Sequence, residues 1–398
     1  MSGDSFDVNA FDPEQLRRPL QELTGLPNLA YNSTAYAEFE RDQVLARRWF
    51  CVASRAQLPE AGWVLPVDIL GMPFVVVRDR DDQLRVFHNV CSHRGMKLVE
   101  AAGPIRRTIT CRYHGWCYSV EGELKATPHI NGEGVHSDDR FDRGLHGLTQ
   151  VRSHSFAGMI FINIDGNAPP FETYMKPVTD YWQAFDFDQY VHGGDDSFWE
   201  LELNGNWKFA QENHVDGYHL PFVHPDLNSY SPLRDHRGIV IEGLASGQMS
   251  LGQHHADAIG ERRLPYNPDL GDEYQQGRAE FLSIFPNIMM GVHADHVWTT
   301  LLIPLGVDRT FERMDLYYFG ERSADAEYAP LRRSNRDRML EIFEEDRDMV
   351  EGMQRGRQSP AFKGGALAPG MDQPAHCFNR IVAAAAVAAL EEDADKGA

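Results

Sequence analysis

The chain reads as an α+β protein: a small antiparallel β domain followed by a larger α+β domain with an antiparallel sheet and covering helices. Three observations carry this reading. Its 398 residues, 42% hydrophobic and 11% aromatic, suit two cores rather than one. From Trp49 to about Ile164, short β-rich runs alternate with Gly, Pro and Asp turns. Beyond Asp165 strand-like runs precede a long helical pattern from Pro330 to Arg355. The expected division is an N-terminal helical segment at 1–47 packed on the larger domain, a small β domain at 48–165, and the larger domain at 166–398.

In chain order, PEQLRRPLQEL and STAYAEFERDQVLARRWF carry apolar residues three or four apart behind acidic starts, predicting two early helices. GWVLPVDIL, PFVVVRD, LRVFHNV, RTITCRY and GMIFINI predict the strands of the small domain. SFWELELN, GIVIEGL, HVWTTLLIPL and FERMDLYYFG predict those of the larger one. The longest apolar run, IVAAAAVAAL at 381–390, falls short of the roughly 20 residues a bilayer span takes. With 38 basic against 59 acidic residues, a formal charge of −21 argues against nucleic acid or an anionic membrane as partner and leaves small molecules and proteins. Five cysteines (Cys51, Cys91, Cys111, Cys117 and Cys377) are too few and too scattered for a disulfide framework, which suggests a cytoplasmic setting where clustered thiols hold metal.

Two stretches concentrate metal-binding chemistry. CSHRG at 91–95 and CRYHG at 111–115 each offer one thiolate and one imidazole beside a glycine, where strands turn. Zinc accepts such a Cys2His2 set, but its ligands usually come as C-x2–4-C and H-x3–5-H. Alternating Cys and His in two facing loops suits a [2Fe–2S] cluster, with Cys91 and Cys111 on one iron and His93 and His114 on the other. Cys117 is then an ordinary thiol, like Cys51 and Cys377.

This pattern ahead of a larger α+β domain resembles the α subunit of the Rieske non-haem iron oxygenases, and that resemblance implies a second iron. NWKFAQENHVDGYHLPFVHP, 206–225, supplies His219 and His224. Asp216 and His219 are expected on one helix face, with Pro221 ending the helix so that His224 swings back. In RMLEIFEEDRDMVEGMQRG, 338–356, Asp346 falls in the gap of an apolar stripe, so a carboxylate faces the core and needs a metal or a paired base. The neighbouring acids, Glu345 included, read as solvated. His219, His224 and Asp346 form the 2-His-1-carboxylate set of non-haem Fe(II) oxygenases, and the resemblance also places its carboxylate ligand at Asp346. His214 reads as a packed histidine, and His293 and His296 as surface or pocket lining. An electron carrier or a zinc-stabilised binding protein accounts for neither Asp346 nor the second His pair.

The resemblance further implies O2 as co-substrate and a head-to-tail homotrimer. Asp216 would bridge His219 to His93 or His114 of a neighbouring subunit, and Asn213 would be a polar neighbour of the iron. No P-loop, plant-type ferredoxin spacing or convincing dinucleotide fingerprint is present, so NAD(P)H must act through a separate reductase or ferredoxin. A basic island of Arg94, Lys97, Arg106, Arg107 and Arg112, against Glu100 alone, is a candidate dock for it. The N-terminal RPLQELTGLPNLAYNS, the one-chain layout and FEEDRDMVEGMQRG resemble the carnitine, choline and glycine-betaine monooxygenase branch. Tyr218, Phe222, Tyr230 and Trp298 are candidate ring faces for a quaternary ammonium. The runner-up is hydroxylation or demethylation of an aromatic substrate, its carboxylate clamped by Arg.

Overall fold

The computed structural model describes residues 24–105, 107–252 and 254–397. The expected helix over PEQLRRPLQEL and the side chain of Arg106 lie outside them. Chain contacts divide the protein into Trp49–Ala168 and a second unit made by the segment ending at Arg48 together with Pro169–Ala398.

Within Trp49–Ala168, a seven-stranded antiparallel sheet runs Phe50–Ser54, Met159–Asn163, Gln150–Phe156, Leu84–His88, Met72–Arg78, Trp63–Ile69, Gly103–Pro104 from edge to edge. Its Val-rich strands bury Val75, Val76, Val77, Val86 and Phe87 completely or nearly so, as β-branched side chains favour. A second sheet of Thr108–Thr110, Cys117–Ser119 and Leu124–Ala126 closes the core. Cys91 and Cys111 are packed there among Val64, Phe87, Ile109, Trp116 and Tyr118.

The larger unit is built on an eight-stranded antiparallel sheet. In this sheet Thr310–Phe319 pairs with His296–Pro304 along one side and with Phe198–Leu203 and Tyr190–His192 along the other. Its far edge, Ala279–Ile284, Ala245–Ser250 and His236–Ile241, was partly hidden in the sequence because ASGQMS carries no β-branched residue. Gly247 is needed there: a Cβ on it would lie 1.9 Å from the Phe281 carbonyl oxygen. Helices Trp207–Val215, Ala329–Gly356 and Gln373–Gly397 pack on this unit. No helix among the described residues is long and apolar enough to cross a membrane.

The helix Trp207–Val215 is almost wholly buried, and polar anchors fix it. Lys208, fully buried, donates to Glu40 at 3.0 and 2.8 Å. Glu212 accepts from Tyr31, and from Asn379 at 2.7 Å. Tyr31 stacks on Phe209 with ring centroids 4.3 Å apart. The segment bearing Tyr31 and Glu40 runs as Leu29–Asn32, Thr34–Phe39 and a π-helical turn Glu40–Leu45, and that turn aims Glu40 inward.

Candidate metal centres and active site

The two Cys/His loops share one backbone plan. Cys91 N–H donates to Met96 C=O at 2.8 Å and Gly95 N–H to Cys91 C=O at 2.9 Å. Cys111 N–H likewise donates to Trp116 C=O at 2.7 Å and Gly115 N–H to Cys111 C=O at 2.9 Å. Gly95 and Gly115 adopt φ of +72° and +70°, a conformation that favours glycine. The thiols are buried while His93 and His114 are exposed, their ring centroids 4.6 Å apart. The Tyr118 hydroxyl lies 3.1 Å from Cys91 Sγ and accepts from Ser92 N–H at 3.1 Å.

Among the described residues, only His219, His224 and Asp346 form a trio of His, Cys, Asp or Glu whose ligand atoms all lie within 4.8 Å of one another. Cys91, His93, Cys111 and His114, four donors spread over two loops, fit a two-iron cluster.

The second centre departs from the expected local geometry. The helix carrying Asn213 stops at Val215, with Asp216 as an extended C-cap whose carboxylate accepts from Tyr218 N–H at 2.6 Å. Asp216 and His219 do not share a helix, and Pro221 ends none. It sits in the first turn of Leu220–Val223, where a missing N–H costs nothing. His219 and His224 flank that single turn as its two caps. A chain reversal therefore brings them together, with Nε2 atoms 3.1 Å apart. From the long helix, Asp346 Oδ1 reaches to 2.9 Å of His224 Nε2 and 3.5 Å of His219 Nε2.

These spacings suit a metal. Three ligand atoms on one octahedral face with bonds of about 2.1 Å lie roughly 3.0 Å apart. The outer ring nitrogens fix the tautomers. His224 Nδ1 lies 2.6 Å from Glu345 Oε2, and His219 Nδ1 lies 3.3 Å from Asp216 Oδ2. With both Nδ1 atoms donating, two imidazole lone pairs and a carboxylate oxygen face one another, an arrangement that a cation stabilises. Burial lowers His224, but Asp346 and Glu345 outweigh it and hold the imidazole above its ordinary range. Glu345, expected to be solvated, is thus a partner of the site. The helical stripe cannot reveal this, because its carboxylate reaches round the helix edge to a histidine 121 positions earlier.

A cavity of about 110 Å³ opens beside the trio, lined by Asn213, Tyr230, Phe281, Trp298, Glu312 and Phe343 among others. It is on the scale of a cavity of ~150 Å³ that takes benzene. His214, His293 and His296 also line it, each with a buried Nε2 lacking a hydrogen-bond partner; burial pushes His214 down to about 4. Of the four aromatic candidates, Tyr230 and Trp298 face the cavity. Tyr218 and Phe222 do not, being 47% and 79% exposed, because Leu220 takes the buried side of their turn. Glu312, missed in the sequence, is pushed up to about 8 by burial, with the Asp346 charge adding and Arg347 opposing. The basic island is weaker than its sequence suggests: Lys97 pairs with Asp68 at 2.8 Å and Arg112 with Glu100 at 3.1 Å.

Comparison with known proteins assigns both parts of the chain. Residues 187–387 match the ring hydroxylating alpha subunit (catalytic domain) family, and residues 48–138 the Rieske [2Fe-2S] domain. Similar proteins include the carnitine monooxygenase oxygenase subunit of Escherichia coli (strain K12), 26% identical over 88% of this chain and 89% of that one. The chloroplastic choline monooxygenase of Arabidopsis thaliana is 26% identical over 94% and 85%. In fold, the chain is similar to the quaternary ammonium Rieske monooxygenase CntA (TM-score 0.76, 20% identity, covering 97% of this chain and 99% of that one). A Rieske domain preceding this catalytic domain makes the chain a member of the ring hydroxylating alpha-subunit family, the Rieske non-haem iron oxygenases.

Proposed function

We propose that the chain is a terminal oxygenase that hydroxylates or demethylates a small quaternary ammonium compound. The observation that carries this is the convergence of His219, His224 and Asp346 in the lining of a cavity shared with Trp298, Tyr230, Phe281 and Phe343. The names of the carnitine and choline relatives support the substrate class. In this reading His219, His224 and Asp346 hold Fe(II), and Cys91, His93, Cys111 and His114 hold the cluster. When bound, these groups supply O2 chemistry and single-electron delivery.

The protein's own residues do the rest. Glu345 keeps the His224 Nδ1 proton in place, leaving Nε2 as a ligand. Asp216 does the same for His219, and at 29% exposure its carboxylate, held by Tyr218 N–H and His219, is accessible to a cluster histidine of a neighbouring subunit in a homotrimer. The inter-subunit electron transfer described for a quaternary ammonium Rieske monooxygenase of similar fold supports that arrangement. Asn213 offers an amide to the cavity. Phe281, Trp298 and Phe343 exclude water from the reacting bond. Overall, O2 takes up two electrons and two protons, one oxygen entering the substrate and the other leaving as water. The electrons come from a separate reductase or ferredoxin in the same reducing cytoplasm, consistent with five free cysteines. The aromatic-carboxylate alternative needs a spare guanidinium in the cavity. Arg338 and Arg347 both line it: the terminal nitrogens of Arg338 are taken by Asp257, Asn335 and the His255 carbonyl and one of Arg347 by Glu344, while the Nε of each is buried without a partner, so benzoate is the contrasting substrate to test.

Anaerobic purification with metal and sulfide analysis tests the two centres; about three irons and two acid-labile sulfides per chain are expected. Asp346→Asn should remove one iron and leave both sulfides. Reductase-coupled turnover of choline, L-carnitine and glycine betaine, with benzoate as the contrasting substrate, tests the class. Zinc without sulfide, or turnover of benzoate alone, overturns the reading.

A further inference from the structure

The inner row of strand Thr310–Phe319 reads Thr310, Glu312, Met314, Leu316, Tyr318, all buried. Pairing puts Glu312 beside Leu302 on one side and Leu201 on the other, and on the same sheet face as Trp298. A carboxyl in that row is out of pattern.

The other buried acids of this unit are satisfied. Glu40 pairs with Lys208, Glu280 with Arg278 and Trp182, Asp295 with His296, and Asp315 with Arg313 and His192. Glu312 is 2% exposed and lines the cavity, and its carboxyl makes no hydrogen bond or ion pair with any described residue. The charged groups it senses are Asp346 and Arg347, and Arg347 donates to Glu344 at 2.7 Å instead. A buried carboxyl without a partner is expensive and persists where something outside the chain completes it.

We propose that Glu312 selects a positively charged substrate, its carboxylate facing the onium group across the cavity while Trp298 and Phe343 supply ring faces. The inference rests on the quaternary ammonium reading above. An onium nitrogen has no N–H to donate, so it is held by charge and by aromatic faces rather than by directed hydrogen bonds, which matches a carboxyl with no hydrogen-bonding neighbour. Trp298 and Phe343 stand at 90° with centroids 6.0 Å apart, forming a corner that a rounded cation fits. Arrival of that cation makes the carboxylate the favoured form.

The test is calorimetric titration of the iron-loaded full-length protein with choline, L-carnitine and glycine betaine, and with 3,3-dimethylbutan-1-ol, the uncharged carbon isostere of choline. Wild type should bind at least one onium compound about tenfold or more tightly than the isostere, the scale of a partly desolvated cation contact. Glu312→Gln and Glu312→Met should abolish that preference while leaving isostere affinity unchanged. Glu312→Met puts an apolar side chain in place of an unpartnered buried carboxyl in an apolar row, and Glu312→Gln is isosteric, so folding should be preserved, and either variant alone decides the matter. Retention of the cation preference in the variants overturns the role of Glu312 and leaves the substrate class standing. Absence of any preference in wild type overturns the substrate class itself, and Glu312's role with it.

Discussion

Removing Glu345 from the long helix tests whether the candidate iron site extends beyond its three proposed ligands. Its carboxylate lies 2.6 Å from His224 Nδ1, a charge-assisted contact worth about 1.5–3 kcal/mol. The carboxylate is 36% exposed, so solvent screening pulls the value to the lower end. About 1.5 kcal/mol corresponds to roughly a tenfold loss of metal affinity, the low edge of the 10–100-fold range typical of such outer partners. Glu345→Ala should show that loss in full. Glu345→Gln, which keeps an acceptor without the charge, should fall between it and wild type. The assay is Fe(II) competition against a chelator after the mononuclear iron has been stripped, with acid-labile sulfide as the internal measure of an intact cluster. Wild-type iron affinity in both variants would refute the argument that Glu345 fixes the His224 tautomer.

Three further outcomes are expected. Gly291→Ala puts a Cβ 2.3 Å from Trp298 Nε1; overpacking of this kind costs about 1–3 kcal/mol, readable as a lowered Tm and altered indole fluorescence. Tyr118→Phe removes the hydroxyl 3.1 Å from Cys91 Sγ; with Cys91 as a proposed cluster ligand, loss of that hydrogen bond should shift the cluster potential to a more negative value in spectroelectrochemical titration. Burial pushes His254 down to about 3, so the folded protein resists protonating it while the unfolded chain protonates near 6.5. Stability is therefore intact above about pH 6.5 and falls on acidification toward 3, by about 2 kcal/mol at pH 5. His254→Gln should flatten the pH dependence of the urea midpoint between pH 7 and 5, and an unchanged slope would clear His254.

The small domain's strands and both candidate ligand stretches were legible because their signals are local. Alternating Val and Ile mark strands, and Cys or His at fixed offsets beside Gly marks metal loops. Whatever depends on a reach across the fold was not legible. Pro221 looked like a helix terminator, yet the helix already ends at Val215, with Asp216 extended and its backbone N–H donating to the Asn213 carbonyl. Glu345 sits next to Asp346 and reads as solvent-facing on a helical stripe, because nothing local shows that His224 lies within its reach. Glu312 reads as one more charge in FERMDLYYFG, where Arg313 and Asp315 form their own pair at 2.8 Å. Only the pairing register shows which of the three is turned inward. Tyr218 and Phe222 had the right chemistry for a cation site but the wrong side of a one-turn helix.

Asn379 has a consequence for the order in which this protein can be completed. Its side chain accepts from Leu26 N–H at 2.9 Å and donates to Glu212 on the helix leading to Asp216 and His219. During N-to-C synthesis the candidate iron ligands are therefore all polymerised, through Asp346, before the residue that locks their helix to the opening segment leaves the ribosome. Iron loading should follow release of the finished chain, and nascent chains truncated before residue 379 should hold their cluster more faithfully than their mononuclear iron.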